Sequence, residues 1–502
     1  MPNPRLNRLV EKSVGKIQWL SERLAAKTFR LKLLILDGFR KMIDFSKLNT
    51  RALLQAYANG DTTPSEYMRW LIERVEKIEP QVCALYAYKP EQAMQQAEAS
   101  TLRWLKGETL GPLDGVPVTV KELIATQGDP IPMGTAASDK APASEDAPIA
   151  ARLKEDGAII FAKTTCPDYG MLSSGLSTFH HLSRNPWDLT QNPGGSSAGA
   201  ASAGAAGFGP LHIGTDIGGS VRLPAGWTGL FGFKPSLGRI PIYPYYTGRS
   251  AGPMTKTVDD AVMVMPTLAK PDWRDATSLK FEALDWNVPP ADVRGMKIGL
   301  LLDAGCGIEA EPEVKAAVLE AAQRFASEGA EIVEIDPVLK REWLDGLDVF
   351  WRSRFWGSML ELSNEKRQSI LPYIYEWAKT GGDASPLDVV KGFDATLAMR
   401  DRCAEVFTEV DAVLSPVNPN VSYPAEWASP TNDPQQPFEH IAFTVPWNMG
   451  EQPAASINCG FSNSGMPIGL QIVAPRFEDL TVIALAKAYE NWRGPISNWP
   501  EL

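Results

Sequence analysis

Histidine and cysteine are scarce in this 502-residue chain, and neither forms a pattern. The four histidines, His180, His181, His212 and His440, include no HExxH, so a zinc hydrolase has little to work with. The five cysteines, Cys83, Cys166, Cys306, Cys403 and Cys459, are odd in number, scattered and without CxxC spacing. That argues against a disulfide framework or a zinc site. No metal and no cofactor is expected, and a reducing compartment fits best. Long apolar runs are missing too: near the start the longest, residues 33–36, falls far short of the roughly 20 residues that span a bilayer. No short apolar region followed by small residues marks a signal peptide. The expected location is cytoplasmic, soluble or peripheral to a membrane. Positive charge is in deficit as well: the net charge of -11 opposes attraction to polyanions, and no RNA- or DNA-binding signature appears. Nucleic acid is therefore not an expected partner, and small neutral molecules remain open.

What is present begins with a distinct N-terminal segment. Residues 1–45 carry ten Lys or Arg against four Asp or Glu, a charge of +6, and leave 39 against 56, or -17, for the remainder. Leu6, Val10, Val14, Ile17, Leu20, Leu24, Leu31 and Ile35 recur mostly at three- and four-residue steps, with Arg8, Lys12, Lys16, Arg23, Lys27 and Arg30 outside that stripe. This is the pattern of a basic amphipathic helix. Its apolar stripe must bury against the main domain, a second copy in a homodimer, or an anionic membrane surface. The expected domains are thus a helical extension, 1–45, and a main domain, 46–502.

Within the main domain, 44% hydrophobic content over the whole chain suffices for one large core or two moderate ones. Thr63, Pro64 and Glu66 form a capping box ahead of YMRWLIERVEKI. GVPVTV at 115–120 reads as a strand running into Lys121, and GAIIFAKT at 157–164 as another strand after the helix pattern PIAARLKEDG. MKIGLLL, EPEVKAAVLEAAQRFASEG and AEIVEI repeat the strand–helix–strand alternation between 296 and 335, so the fold class is α/β. Residues 340–400 turn helical and aromatic, with Trp343, Phe350, Trp351, Phe355, Trp356, Tyr373, Tyr375 and Trp377, a set that serves as core or walls an apolar pocket.

The densest chemistry lies in PGGSSAGAASAGAAGFGPLHIGTDIGGSVRLPAG, residues 193–226. From Gly194 to Gly209, fifteen of sixteen residues are Gly, Ala or Ser. A flexible linker would stay polar throughout, whereas this run continues into ordered apolar positions. Glycines at 195, 218 and 219 let a tight turn aim backbone N–H groups at one point, which suits a developing oxyanion. Ser196 and Ser220 stand in those glycine settings, and a serine hydroxyl needs a base to become a nucleophile. Neither His212 nor the His180–His181 pair stands in a recognisable triad order. GxSxG centred on Ser197 matches a nucleophile elbow, but such a match arises easily in a Gly/Ser-rich stretch and its flanks do not read as strand–elbow–helix. Lys121, ending an apolar strand, is the other candidate base, since burial favours the neutral amine.

Together these pieces resemble the amidase signature family, whose members use a Ser-cisSer-Lys triad. GVPVTVK resembles the family's lysine motif, and PGGSSAGAASAG and GTDIGGSVRLPAG its two serine motifs, in order and with matching spacing. The similarity runs from about residue 46 through DAPIAARLKEDGAIIFAKT, NPWD, DAVLSPV and GMPIGLQIVAP. It implies a central twisted mixed sheet flanked by helices on both faces. It also implies Ser220 as nucleophile, Ser196 as a bridging serine preceded by a cis peptide, and Lys121 as base. The backbone N–H groups of Ile217, Gly218, Gly219 and Ser220 would form the oxyanion hole, with Ser197, Thr215, Asp216 and Arg222 as supporting scaffold. The implied partner is a small-molecule amide. Two departures stand out: Cys166-Pro167-Asp168-Tyr169, where many members carry Asn-Met-x-Glu-Phe, and Phe179-His180-His181 before an NP dipeptide. Cys166 as a nitrilase-like nucleophile lacks that family's motif. Met133, Tyr243, Tyr245, Tyr246, Trp351 and Phe355 are the candidate substrate pocket and favour a hydrophobic or aryl amide. Two other readings are a glutamine-amidase subunit of an aminoacyl-tRNA amidotransferase and a non-catalytic member. FDATLAMRDRCAEVF lacks the basic pattern expected of the first, and the intact triad weighs against the second.

Overall fold

The computed structural model describes residues 43–502. The expected helix over 1–45 therefore lies, up to residue 42, outside the described residues. Residues 48–502 form one compact unit. Residues 43–47 end in a short 3-10 turn, Phe45–Lys47.

Eleven strands build one sheet: β1 (Leu85–Tyr86), β2 (Pro117–Lys121), β3 (Ile159–Thr164), β4 (Leu211–Asp216), β5 (Phe231–Lys234), β6 (Ser250–Thr255), β7 (Lys297–Leu300), β8 (Glu331–Glu334), β9 (Ala412–Pro416), β10 (Ala454–Phe461) and β11 (Pro467–Val473). Their order is β1-β3-β2-β4-β6-β5-β10-β11-β9-β7-β8. Two parallel wings, β3-β2-β4 and β8-β7-β9, flank an antiparallel middle, so the sheet is mixed. The strand–helix–strand units read from sequence are the β2/β3 and β7/β8 pairs, with helices Pro148–Glu155 and Pro312–Ser327 between their strands. The capping box of Thr63 and Glu66 starts the helix Pro64–Val82.

Two apolar clusters cover the two faces. Ala412 and Leu414 of β9 enter one and Val413 enters the other, as the period of two along a strand requires. The first cluster takes the helices Val258–Leu268, Pro312–Ser327 and Asp479–Arg493; the second takes the aromatic helices between 341 and 406.

The Gly/Ala/Ser run folds into a helix, Ala198–Ala206, buried at every position. Its small side chains follow from close backbone approach: a Cβ on Gly199 would lie 2.2 Å from Ala84 O and 2.4 Å from Thr165 N. A helix covered on all sides has no polar face to offer, which is why its sequence shows no amphipathic period.

Candidate active site

β2 and β4 are neighbouring parallel strands, with Val120 opposite Ile213. Their C-terminal ends, Lys121 and Thr215–Asp216, therefore emerge at the same sheet edge, where open α/β sheets place their sites. Ser196 arrives from the turn before the buried helix, after a cis Gly195–Ser196 peptide bond. Ser220 sits in the turn between β4 and the helix Arg222–Thr228.

Lys121 is fully buried. Its Nζ lies 2.8 Å from Ser196 Oγ and 3.1 Å from Thr215 Oγ1. Burial pulls its pKa down to about 8; Arg249 acts in the same direction, against Asp216 and Glu122. Burial alone does not single Lys121 out, because desolvation also brings Lys163 to about 8 and Lys234 to about 7. Lys163 Nζ finds no hydrogen-bond partner among the described residues, and Lys234 donates to the carbonyls of Pro235 and Gln452. Of the three, Lys121 is the one that meets a serine hydroxyl. Ser196 is buried, whereas Ser220 is half-buried and its hydroxyl makes no hydrogen bond among the described residues. The Lys121–Ser196 link is thus closed, and Ser220 Oγ is left free.

The Ser220 turn is fixed from below. Asp216 accepts from Gly219 N at 2.8 Å and Val221 N at 3.1 Å, and pairs with the buried Arg222 through Nε–Oδ2 at 3.1 Å and Nη2–Oδ1 at 3.0 Å. Burial would raise the Asp216 pKa, but Arg222 beside it holds the carboxyl far below the usual range. Ser197 Oγ lies 3.3 Å from both N and O of Thr215, tying the buried helix to β4. One expectation is corrected here. The Gly219 N–H is committed to Asp216, because Gly219, at φ +121°, turns it inward. The N–H groups of Ile217, Gly218 and Ser220 remain without an intramolecular acceptor among the described residues.

Trp351 Cη2 lies 3.7 Å from where a Cβ on Gly218 would sit, so this aromatic residue borders the turn. From it, ring contacts run to Phe438 (5.1 Å between centroids) and on to Trp377 (5.7 Å), Phe355 (5.6 Å) and Tyr169 (6.0 Å). Met133, at φ +54°, accepts from Tyr169 N at 2.6 Å. Tyr246 stacks on Phe350. Tyr243 and Tyr245 are half-exposed and join none of these rings, so the structure does not gather the three tyrosines into one wall.

Several site residues escaped the sequence reading. Arg222 also donates to Thr444 O (3.1 Å), Gln471 Oε1 (2.7 Å) and Asn448 Oδ1 (2.6 Å). Asn448 Nδ2 donates to Asp216 Oδ1 at 2.8 Å, and Thr444 Oγ1 to Gly218 O at 2.6 Å. Glu122, buried next to Lys121, accepts from Gly134 N at 2.8 Å and meets His180 Nε2 and, at 3.8 Å, Cys166 Sγ. The two departures noted in the sequence, at 166–169 and 179–181, thus converge on one carboxylate. Burial pushes the Cys166 thiol well above its ordinary range, the reverse of an activated nucleophile. Burial likewise brings His212 to about 4 and His440 to about 3; they bond Thr119 and Ser173, and no histidine contacts Ser196 or Ser220 among the described residues. No strand leads into Ser197, so the nucleophile-elbow reading finds no support in the backbone. Among the described residues no cluster of His, Cys, Asp and Glu could hold a metal ion, and no helix is long and apolar enough to cross a membrane.

A buried lysine, two serines and a glycine turn gather at the end of a mixed sheet, and comparison with known proteins gives the family. The Amidase family model matches residues 66–483. The chain is 30% identical over 488 residues to a glutamyl-tRNA(Gln) amidotransferase subunit of Chloroflexus aggregans, covering 91% of this chain and 98% of that one. It is 30% identical to an acylamidase of Rhodococcus erythropolis, covering 88% and 95%. A bacterial aryl acylamidase of the amidase signature family superposes with a TM-score of 0.82 at 28% identity, over 90% and 97% of the two chains. The protein belongs to the amidase signature family and is an amidohydrolase acting on C–N bonds.

Proposed function

We propose that this enzyme hydrolyses linear carboxamides with a hydrophobic or aryl part through a Ser220 acyl-enzyme. The observation that carries the reading is the 2.8 Å contact between buried Lys121 and Ser196, beside a Ser220 hydroxyl that makes no hydrogen bond among the described residues. Neutral Lys121 takes the Ser196 proton as Ser196 takes that of Ser220, and Ser220 Oγ attacks the amide carbonyl. The oxyanion meets the free N–H groups of the turn, donors typically worth about 3 kcal/mol each. The relay then protonates the leaving amine, and water, activated the same way, releases the acid. The same acyl-enzyme path serves esters and carbamates. The aromatic row from Trp351 to Tyr169 favours an aryl or hydrophobic group, in keeping with the aryl acylamidase neighbour.

Ser220→Ala is expected to abolish both anilide turnover and labelling by a fluorophosphonate; stoichiometric labelling at another residue overturns the assignment. The similarity to glutamyl-tRNA(Gln) amidotransferase chains favours a second reading, a glutaminase that works with partner chains. Robust anilide hydrolysis by the isolated chain decides for the first, and glutaminase activity appearing only with a partner decides for the second.

A further inference from the structure

Arg249, at the sheet edge that carries the Ser220 turn, and Arg354 are two guanidinium groups without an acidic partner among the described residues. Arg249 immediately precedes β6, whose Ser250 pairs with Asp216 of β4, and Gly248 on its other side accepts from Asn448 Nδ2 at 3.1 Å. Arg249 is thereby fixed at the edge that carries Lys121 and Ser220. One of its N–H groups donates to Pro244 O at 2.6 Å. No carboxylate pairs with it among the described residues, and the charged neighbour that acts on it is a second cation, Arg354. Arg354 lies over the Tyr246 ring, 3.8 Å from its centroid, on the same helix as Trp351 and three residues beyond it. The Tyr246 hydroxyl is buried, with the Arg354 guanidinium as its polar neighbour.

The two buried arginines of the sheet edge and core meet acids, Arg222 with Asp216 and Arg239 with Asp479. A partly buried guanidinium beside another guanidinium is unfavourable until a counter-charge arrives. We propose that Arg249, Arg354 and Tyr246 receive a carboxylate on the substrate, so that the preferred substrates are amides bearing a negative charge a few bonds from the scissile carbonyl. The inference rests on the amidase reading of the Ser220 site and names its substrate class. Planar guanidinium forks match carboxylate oxygens, and the Tyr246 O–H supplies a further donor. The reach is consistent: residues three apart on a helix lie about 5–6 Å apart, and Trp351 already borders Gly218.

The test uses the full chain and two substrate pairs that differ in charge. In one, the charge is on the acyl side: the mono-p-nitroanilide of glutaric acid against the p-nitroanilide of pentanoic acid. In the other, it is on the amine side: 4-acetamidobenzoate against 4-methylacetanilide. We expect kcat/KM at least tenfold higher for the charged member of one pair, an advantage that shrinks as salt is raised. Arg249→Met and Arg354→Met should each cut the charged-to-neutral ratio at least tenfold, with Arg249→Lys retaining part of it. The ratio is unaffected by loss of folded enzyme, which lowers both members alike. Equal or better turnover of the neutral member in both pairs overturns the proposal while leaving the amidase reading intact. Hydrolysis of none of the four overturns it too, and fluorophosphonate labelling at Ser220 then tells whether the amidase reading falls with it.

Discussion

Lys121 is held near the pH at which enzymes work, and the same fact sets its cost to the fold. With a folded pKa of about 8 against an ordinary 10.5, the unfolded chain binds more protons between those values. Stability therefore rises with pH across that window, and below pH 8 the cost of burying the ammonium is fully present, about 3 kcal/mol. Lys121→Met should be inactive yet more stable than the native enzyme at pH 7 by about 1–3 kcal/mol, allowing for two lost hydrogen bonds, with the gain gone by pH 10.5. Urea denaturation at pH 7 and at pH 10.5 checks this; a variant less stable at both contradicts it. For the native enzyme, kcat/KM should climb about tenfold per pH unit below 8 and level off above, and a flat profile from pH 6 to 9 sinks the lysine-base role. Lys121 was legible because a charge ending an apolar strand is anomalous. Glu122, the next residue, was not, because a carboxylate after a lysine reads as a surface pair until His180 and Gly134 are seen to enclose it.

At the scale of elements, the Ser220 turn is a short loop clamped by groups distant in sequence. Thr444 donates to Gly218 O and Asn448 to Asp216, across separations of 226 and 232 residues. Removing the Thr444 hydroxyl frees the Gly218 carbonyl and leaves the Gly218–Gly219 peptide held by the Gly219 N–H to Asp216 bond alone, which loosens the aim of the neighbouring N–H groups. Thr444→Val should lower kcat at least tenfold with KM changed less than threefold, and Thr444→Ser should restore most of it. A variant whose loss lies in KM alone, or which serine does not rescue, would assign Thr444 to packing. GTDIGGSVRLPAG was legible because glycine and serine punctuate it, whereas Thr444, Asn448 and Gln471 belong to no local pattern and acquire meaning only through Arg222. The Gly/Ala/Ser helix shows the converse: its composition was plain, and its cause, the approach to Ala84 and Thr165, is tertiary. Gly199→Val should destabilise the fold by at least about 2 kcal/mol, read as a lowered urea midpoint.

For the whole molecule, the alternation of strands and helices announced an α/β sheet, and both parallel wings follow from it. The antiparallel middle does not. β5 pairs with β10 over more than 200 residues, and β4 pairs with β6 around β5, pairings that no hydrophobic period encodes. Residues 48–502 carry the entire sheet and both apolar clusters, so this unit holds what a cooperative fold needs. Deleting residues 1–42 should leave the thermal midpoint within a few degrees and kcat/KM within twofold. The deleted stretch holds all ten of the basic residues counted in 1–45, while the remainder, at a net charge of -18, is repelled by anionic lipid. Any binding to anionic vesicles must therefore come from the basic segment, whose amphipathic pattern matches an interfacial helix. The expected outcome is cosedimentation of the full chain with anionic vesicles at low salt, lost on truncation and on raising the salt. A fall of more than about ten degrees in the midpoint would show instead that the apolar stripe packs on the main domain. A change in oligomeric state on truncation would assign that stripe to a contact between copies.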